Sequence, residues 1–171
     1  MSSAVIRPIE DGDVAGAVAA LVDVYATDGY PVEGVARPEA WIRSPGVVQA
    51  WVAEADGVVV GHIAVMRPDG GEGAVALWRE RSGEDESPIG VVARLFVVRS
   101  ARGHALGEGL LREAMSYARA RSWRLVLDVL QKDVAAIRLY ERLGWQALGE
   151  VWHGYGDGHG LPARCYVWPA E

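Results

Sequence analysis

Residues 91–111, VVARLFVVRSARGHALGEGLL, constrain this chain more than any other stretch. An apolar run with β-strand character reaches Val98. A basic, glycine-bearing turn from Arg99 to Gly109 then leads into an amphipathic helix. That order gathers free main-chain N–H groups and the positive end of a helix beside Arg102, which is a good seat for phosphate. Two common phosphate loops do not fit. A P-loop ends in Gly-Lys-Ser/Thr, and neither the Lys nor the hydroxyl is present. A dinucleotide fingerprint needs Gly-x-Gly-x-x-Gly after a first strand, with an acid about 20 positions on. Gly103, Gly107 and Gly109 have the wrong spacing, and the turn falls past mid-chain.

The 171 residues suffice for one domain with a full core. Half are apolar and 23% are charged, as in soluble globular chains. A net charge of −6 argues against a nucleic-acid partner, which calls for a basic face. It is compatible with a cationic amine as substrate. Cys165 is the single cysteine, so an internal disulfide is excluded. His62, His153 and His159 show no metal-ligand spacing, so no metal is expected. No apolar run approaches the roughly 18 residues of a membrane span. Met1 to Ala20 lacks a basic start followed by an apolar signal core. A cytoplasmic enzyme is the expectation.

The pattern along the chain predicts a mixed sheet with helices on both faces. Val5–Pro8 reads as a first strand, and residues 11–27 as an amphipathic helix. Pro38 to Ile42 reads as a short helix with Pro in its first turn. Val47 to Glu54 and Val58 to Met66 read as strands joined at Asp56-Gly57, a strong hairpin signal. Residues 67–90 read as a long exposed loop, with at most one helical turn near Leu77 to Arg81. Val91 to Val98 is the fourth strand and Leu106 to Ala120 the next helix. Leu125 to Leu130 is a buried strand, and Asp133 to Leu143 a helix stopped by Gly144. Trp145 to His153 and Ala163 to Trp168 end the chain as strands, joined by a glycine-rich loop from Gly154 to Leu161. The unit across 91–130 should be a right-handed crossover that sets two strands side by side.

Arg102-Gly103-His104-Ala105-Leu106-Gly107 resembles the Arg/Gln-x-x-Gly/Ala-x-Gly/Ala element of the GNAT (Gcn5-related) N-acetyltransferases. Leu127-Asp128-Val129-Leu130, followed by Ala136 to Trp145 (AIRLYERLGW), resembles the next strand, helix and Gly-aromatic start of that family. The two motifs cover roughly residues 91–146. The element order extends the likeness over most of the chain. The resemblance implies a single GNAT-like domain over residues 1–171, an α/β (α+β) fold with a mixed, mostly antiparallel central sheet of about seven strands flanked by helices on both faces. It also implies acetyl-CoA as cosubstrate.

The resemblance assigns the site residue by residue. Main-chain N–H groups from Gly103 through His104, Ala105, Leu106, Gly107 and Glu108 would cradle the pyrophosphate, with Arg102 and His104 adding charge from the rim. The family usually has Gly where Ala105 stands. The expectation here is that Ala105 already lies in the first helical turn, where Ala is comfortable. The fourth strand would splay at its end and pair with the pantetheine arm through main-chain groups near Leu95 and Val97. An N–H near Val97 would hold the thioester oxygen as it gains charge. Tyr140 would protonate the departing thiolate.

Asp128, where some relatives carry a glutamate, is the candidate base. In an apolar strand its lone charge would be costly to bury, so the competing reading is a structural carboxylate paired with an Arg or a main-chain N–H. Asp133 stands where the family often has an Asn on the cofactor arm, and helix capping is its expected role. Trp41, Trp51, Trp78, Trp152, Tyr30 and Tyr155 are candidates to line an acceptor pocket, Trp152 and Tyr155 foremost. Glu33, Glu80, Glu84, Asp85 and Glu86 are loop acids read as solvated. Cys165 has no His-Asp relay, so an acyl-cysteine route is not expected.

The expected activity is transfer of acetyl from acetyl-CoA to a small-molecule or peptide amine within a ternary complex. The alternatives are a protein N-terminal or lysine acetyltransferase, a transferase of a larger acyl group, or a CoA-binding protein without catalysis. A homodimer is compatible with the resemblance.

Overall fold

The computed structural model describes residues 4–83, 87–155 and 158–169, with only the main chain of Tyr155. Glu84, Asp85 and Glu86, and the side chain of Tyr155, lie outside the described residues. The strands are β1 (Val5–Pro8), β2 (Val47–Ala55), β3 (Val58–Met66), β4 (Ile89–Val97), β5 (Arg124–Leu130), β6 (Gln146–Tyr155) and β7 (His159–Trp168). The helices are α1 (Val14–Asp28), α2 (Pro38–Ile42), α3 (Gly73–Ser82), α4 (Leu106–Arg121) and α5 (Val134–Arg142). The strands form one seven-stranded, mostly antiparallel sheet in the order β1-β2-β3-β4-β5-β7-β6. By contacts the chain divides into two compact units. One holds the residues up to Met66 with Ala93–Ala114, and the other holds Arg67–Val92 with the residues from Met115 on.

In the first unit, β1, β2 and β3 make an antiparallel meander. The β2–β3 turn is set by Asp56 (φ 54°) and Gly57 (φ 78°). Two positive φ values in a row match the twist of paired strands, which is why Asp-Gly is favoured there. Ala17, Leu21 and Val24 of α1 bury one stripe in a cluster with Ile42, Val52, Phe96 and Val98. The start of α1 is anchored by Arg7, which pairs with Asp13 at 2.7 Å and Glu54 at 2.5 Å.

The second unit corrects the expectation of a long loop. Gly73–Ser82 form α3, with Ala74, Val75 and Trp78 buried and Gly83 closing the helix at φ 73°. This helix packs on β5, β6 and β7. Its order comes from that burial rather than from its own propensity, so the local sequence understated it. The expected glycine-rich loop also shrinks. The β6–β7 ladder runs from Gln146↔Val167 to Tyr155↔His159, so Gly154 and Gly160 are paired strand residues. The β4–β5 pair is parallel, as expected, through Ile89↔Arg124, Gly90↔Leu125 and Val91↔Val126. Among the described residues that register ends there. Beyond it β5 keeps its ladder to β7 as far as Leu130↔Ala163.

Candidate active site

The turn from Arg99 to Gly109, expected to hold phosphate, lies in the first unit. Val98 N–H closes on Val60 O at 2.9 Å, and a 3-10 turn from Arg99 to Ala101 follows. Two left-handed residues then flank His104, Gly103 at φ 85° and Ala105 at φ 59°. The first bond into α4 runs from Gly109 N–H to Ala105 O at 3.0 Å. Ala105 therefore precedes the helix instead of sitting in its first turn, which corrects the expectation. A left-handed Ala costs roughly 1–2 kcal/mol, and turns with left-handed residues are a backbone form that can present main-chain N–H groups to an anion. Residues 102–105 are exposed at the N-terminal end of α4, where Leu106 and Gly107 begin the helix. The Glu108 side chain turns along the helix to Arg112 Nε at 3.0 Å.

Arg102 is more than a rim charge. Its Nε donates to Val97 O at 3.0 Å and its Nη2 bonds the carboxylate of Asp28 at the end of α1. Arg99 joins the same carboxylate at 3.0 Å and also reaches Thr27 O. The Arg102 hydrogen bond holds the Asp28 carboxyl below the usual carboxylate range. The Val97 carbonyl is thus already engaged by this chain.

Three residues before Val97, Arg94 interrupts β4 with φ 58°. His62 of β3 secures that kink by donating from Nδ1 to Arg94 O at 2.8 Å. A carbonyl only accepts, so Nδ1 carries the proton. His62 is fully buried, stacks on Phe96 with centroids 5.3 Å apart, and has no hydrogen-bond partner at Nε2 among the described residues. Burial pushes its pKa down to about 4, so the ring is neutral. The Arg94 guanidinium lies over the Trp41 ring at 4.9 Å, with Nη1 3.0 Å from the Met66 sulfur. Tyr30, Trp41 and Phe96 pack together at 6.1–6.5 Å. Sequence reasoning named Tyr30 and Trp41 but missed the Arg and His at their centre. The available signal was a single Arg inside the apolar run VVARLFVV.

The second unit carries the expected acid and base. Tyr140 of α5 is buried against Trp145 (5.8 Å) and Tyr166 (6.1 Å). Burial, then the charges of Asp133 and Asp128, hold its phenol well above the ordinary tyrosine range. It stays protonated at neutral pH, as a proton donor must. Asp128 is not the buried charge foreseen from the sequence. Its side chain is 39% exposed, and Oδ2 accepts a hydrogen bond from His153 Nδ1 at 3.1 Å. The partner is thus an imidazole, rather than the Arg or main-chain N–H of the competing reading. Across the ladder from Asp128, Cys165 is fully buried, and burial followed by the Asp128 charge pushes its thiol up to about 12. Such a thiol is a poor nucleophile.

Asp133 does begin α5, and its carbonyl accepts from Ile137 N–H at 3.1 Å, but its side chain makes no cap bond. This corrects the capping role. Its charge still lies at the positive end of the helix. Trp51 and Trp78 are core residues, whereas Trp152 is 67% exposed and lies flat on Gly160. Glu80 falls within α3, and Glu33 accepts from Trp41 Nε1 at 3.3 Å. Among the described residues no three His, Cys, Asp or Glu side chains converge as a metal site, and no helix is long and apolar enough to cross a membrane.

The family model described as Acetyltransferase (GNAT) family matches residues 16–145, and the chain belongs to that family of N-acetyltransferases. Among curated proteins it is similar to the peptidyl-lysine N-acetyltransferase YiaC of Escherichia coli (strain K12), with 28% identity over 121 residues. That match spans 71% of this chain and 64% of the relative, less than two thirds of the relative's length. Among solved structures it resembles Arabidopsis thaliana NAA60 in complex with acetyl-CoA, at a TM-score of 0.72, 20% identity and coverage of 97% and 99% of the two chains. It likewise resembles yncA, a putative acetyltransferase from Salmonella typhimurium with its cofactor acetyl-CoA, at a TM-score of 0.72, 19% identity and coverage of 99% and 95%. At these identities the solved structures establish the fold.

Proposed function

We propose that the whole chain acts as one cytoplasmic transferase domain. It moves the acetyl group of acetyl-CoA to a primary amine by direct attack in a ternary complex, with no covalent enzyme intermediate. The turn from Arg102 to Glu108 binds the pyrophosphate, and main chain near Leu95 and Val97 receives the pantetheine arm. Asp128, held on one oxygen by His153, takes a proton from the acceptor ammonium. The freed amine forms the new C–N bond while the C–S bond breaks. An N–H near Val97 supports the charge on the carbonyl oxygen, Tyr140 gives its proton to the thiolate, and the second proton that the nitrogen sheds on becoming an amide restores the phenol. No metal is required in this scheme. The observation that carries the reading is the left-handed pair Gly103 and Ala105 at the mouth of α4, in a chain of this family.

The test is a thiol-release assay with acetyl-CoA against polyamines, aminoglycosides, amino acids and peptides, run beside thermal shift with acetyl-CoA. Turnover with at least one amine and a raised Tm are expected. Absence of both would refute the reading. The likeness to a peptidyl-lysine acetyltransferase favours a second reading, in which the acceptor is a protein lysine. The peptide arm of the screen decides it.

A further inference from the structure

This inference rests on the transferase reading and concerns its acceptor. Arg94 is half-buried, yet among the described residues no carboxylate lies within ion-pair distance of it. Among the described residues the other arginines of the same unit are matched, apart from Arg37, which is exposed. Arg7, Arg43, Arg99, Arg102 and Arg112 each hold a carboxylate at 3.2 Å or less. What Arg94 meets is a thioether, a weak acceptor, and the face of an indole. Glu33 acts on it only through space and spends an oxygen on Trp41. The Arg94 charge is partly desolvated with no carboxylate beside it among the described residues, which is costly. Here it is also fixed in place, by a strained backbone and a buried imidazole dedicated to that strain. Strain of this kind collects where a side chain must be aimed.

We infer that Arg94 anchors the anionic group of the acceptor, and that the acceptor is a small amine bearing a carboxylate, of the amino-acid class. The planar fork of an Arg suits a carboxylate in two parallel bonds. Tyr30 and Trp41, partly buried against Phe96 beside it, offer an apolar floor for the rest of the molecule. At about 3.3 Å per strand residue, Arg94 lies roughly 10 Å along β4 from Val97. That gap falls within the combined reach of an arginine and a small amino acid. The position precedes Val97 on the strand, whereas the phosphate turn follows it, so the anion in question is not the pyrophosphate. The inference reverses the cationic acceptor that the net charge allowed.

The test compares L-methionine, L-phenylalanine and L-lysine with their amides and decarboxylated amines in thiol release. The free carboxylates should be preferred by about tenfold or more in kcat/KM, since the analogues leave a polar group unpaired. Arg94→Gln should raise KM for those acceptors by a similar factor while KM for acetyl-CoA stays within about twofold, with Arg94→Lys intermediate. A second arm titrates N-acetyl-L-methionine into the CoA-loaded protein by tryptophan fluorescence, and this needs no turnover. Binding lost in Arg94→Gln supports the anchor; absence of binding in the wild type overturns it. Equal use of amides and acids, or turnover with peptides and polyamines alone, also overturns it and leaves the transferase reading standing. Failure of every amine together with no acetyl-CoA thermal shift removes the transferase reading instead, and the titration still decides the anchor.

Discussion

Asp28 at the end of α1 closes on Arg102 in the turn before α4, and Arg102 reaches back to the Val97 carbonyl. One side chain thus ties the turn before α4 to both a helix end and a strand end. With Arg102 42% and Asp28 25% exposed, solvent screening limits the ion pair to at most about 1 kcal/mol. Arg102→Ala should therefore lower the Tm of the ligand-free protein by about 2–4 °C per kcal/mol lost and shrink the acetyl-CoA thermal shift. The Asp28 pKa is depressed, so its contribution is present above the unfolded value of about 3.9 and disappears as pH falls through the folded one. A variant with an unchanged ligand-free Tm would show the turn is held by other bonds.

Tyr140→Phe should lower kcat tenfold or more with little change in acetyl-CoA affinity, since acid catalysis is worth about 10²–10⁴-fold. Because the phenol is held above its ordinary range, wild-type kcat should show no falling limb from this group up to about pH 10. Pre-steady-state thiol release in both proteins measures it. Undiminished release in the variant would remove Tyr140 from the mechanism.

Asp128→Asn should reduce kcat/KM by about 10²-fold. His153→Gln, which removes the partner on one carboxylate oxygen, should cost less than about tenfold. The pH–rate profiles of the two variants check this ordering. Equal losses would instead make the imidazole the proton acceptor and Asp128 its support.

His62 makes stability depend on pH. Its folded pKa, about 4, lies below the unfolded value of 6.5. The unfolded chain binds the extra proton first, so stability is full above pH 6.5 and falls as pH drops toward 4. The loss is on the order of 3 kcal/mol. His62→Gln keeps a donor for Arg94 O without a titrating ring, so its denaturant midpoint should lack most of that slope. An identical slope in both proteins would place the acid sensitivity elsewhere.

Ala105 occupies a left-handed position. Ala105→Gly relieves that conformation and should stabilise the protein by up to about 1 kcal/mol, net of the extra entropy of an unfolded glycine. Ala105→Val should destabilise by more than that. Chemical denaturation of the three proteins measures both. A destabilised glycine variant would mean the methyl group is itself packed.

Elements whose signals were local could be read from the sequence. The β3 limits, the Asp56-Gly57 turn and the stop of α5 at Gly144 (φ 90°) follow from an unbroken apolar run and from glycine's tolerance of positive φ. The glycine-bearing turn before α4 and the place of Tyr140 on a helix were legible because motif spacing survives without knowledge of packing. By contrast, α3 was hidden because its ordering comes from β5, β6 and β7, which are distant in sequence. The exposure of Asp128 and its bond to His153 depend on β6 lying near β5 across β7.

The sequence alone thus determined the order of the strands and of every helix but α3, the glycine-bearing turn and the chemistry available to it, since these reside in neighbouring residues. Tertiary structure decided which charges are matched. It gave Arg102 to Asp28 and Asp128 to His153, and left Arg94 on aromatic rings. Partnership between side chains depends on burial and on register across strands, and neither is written in linear spacing.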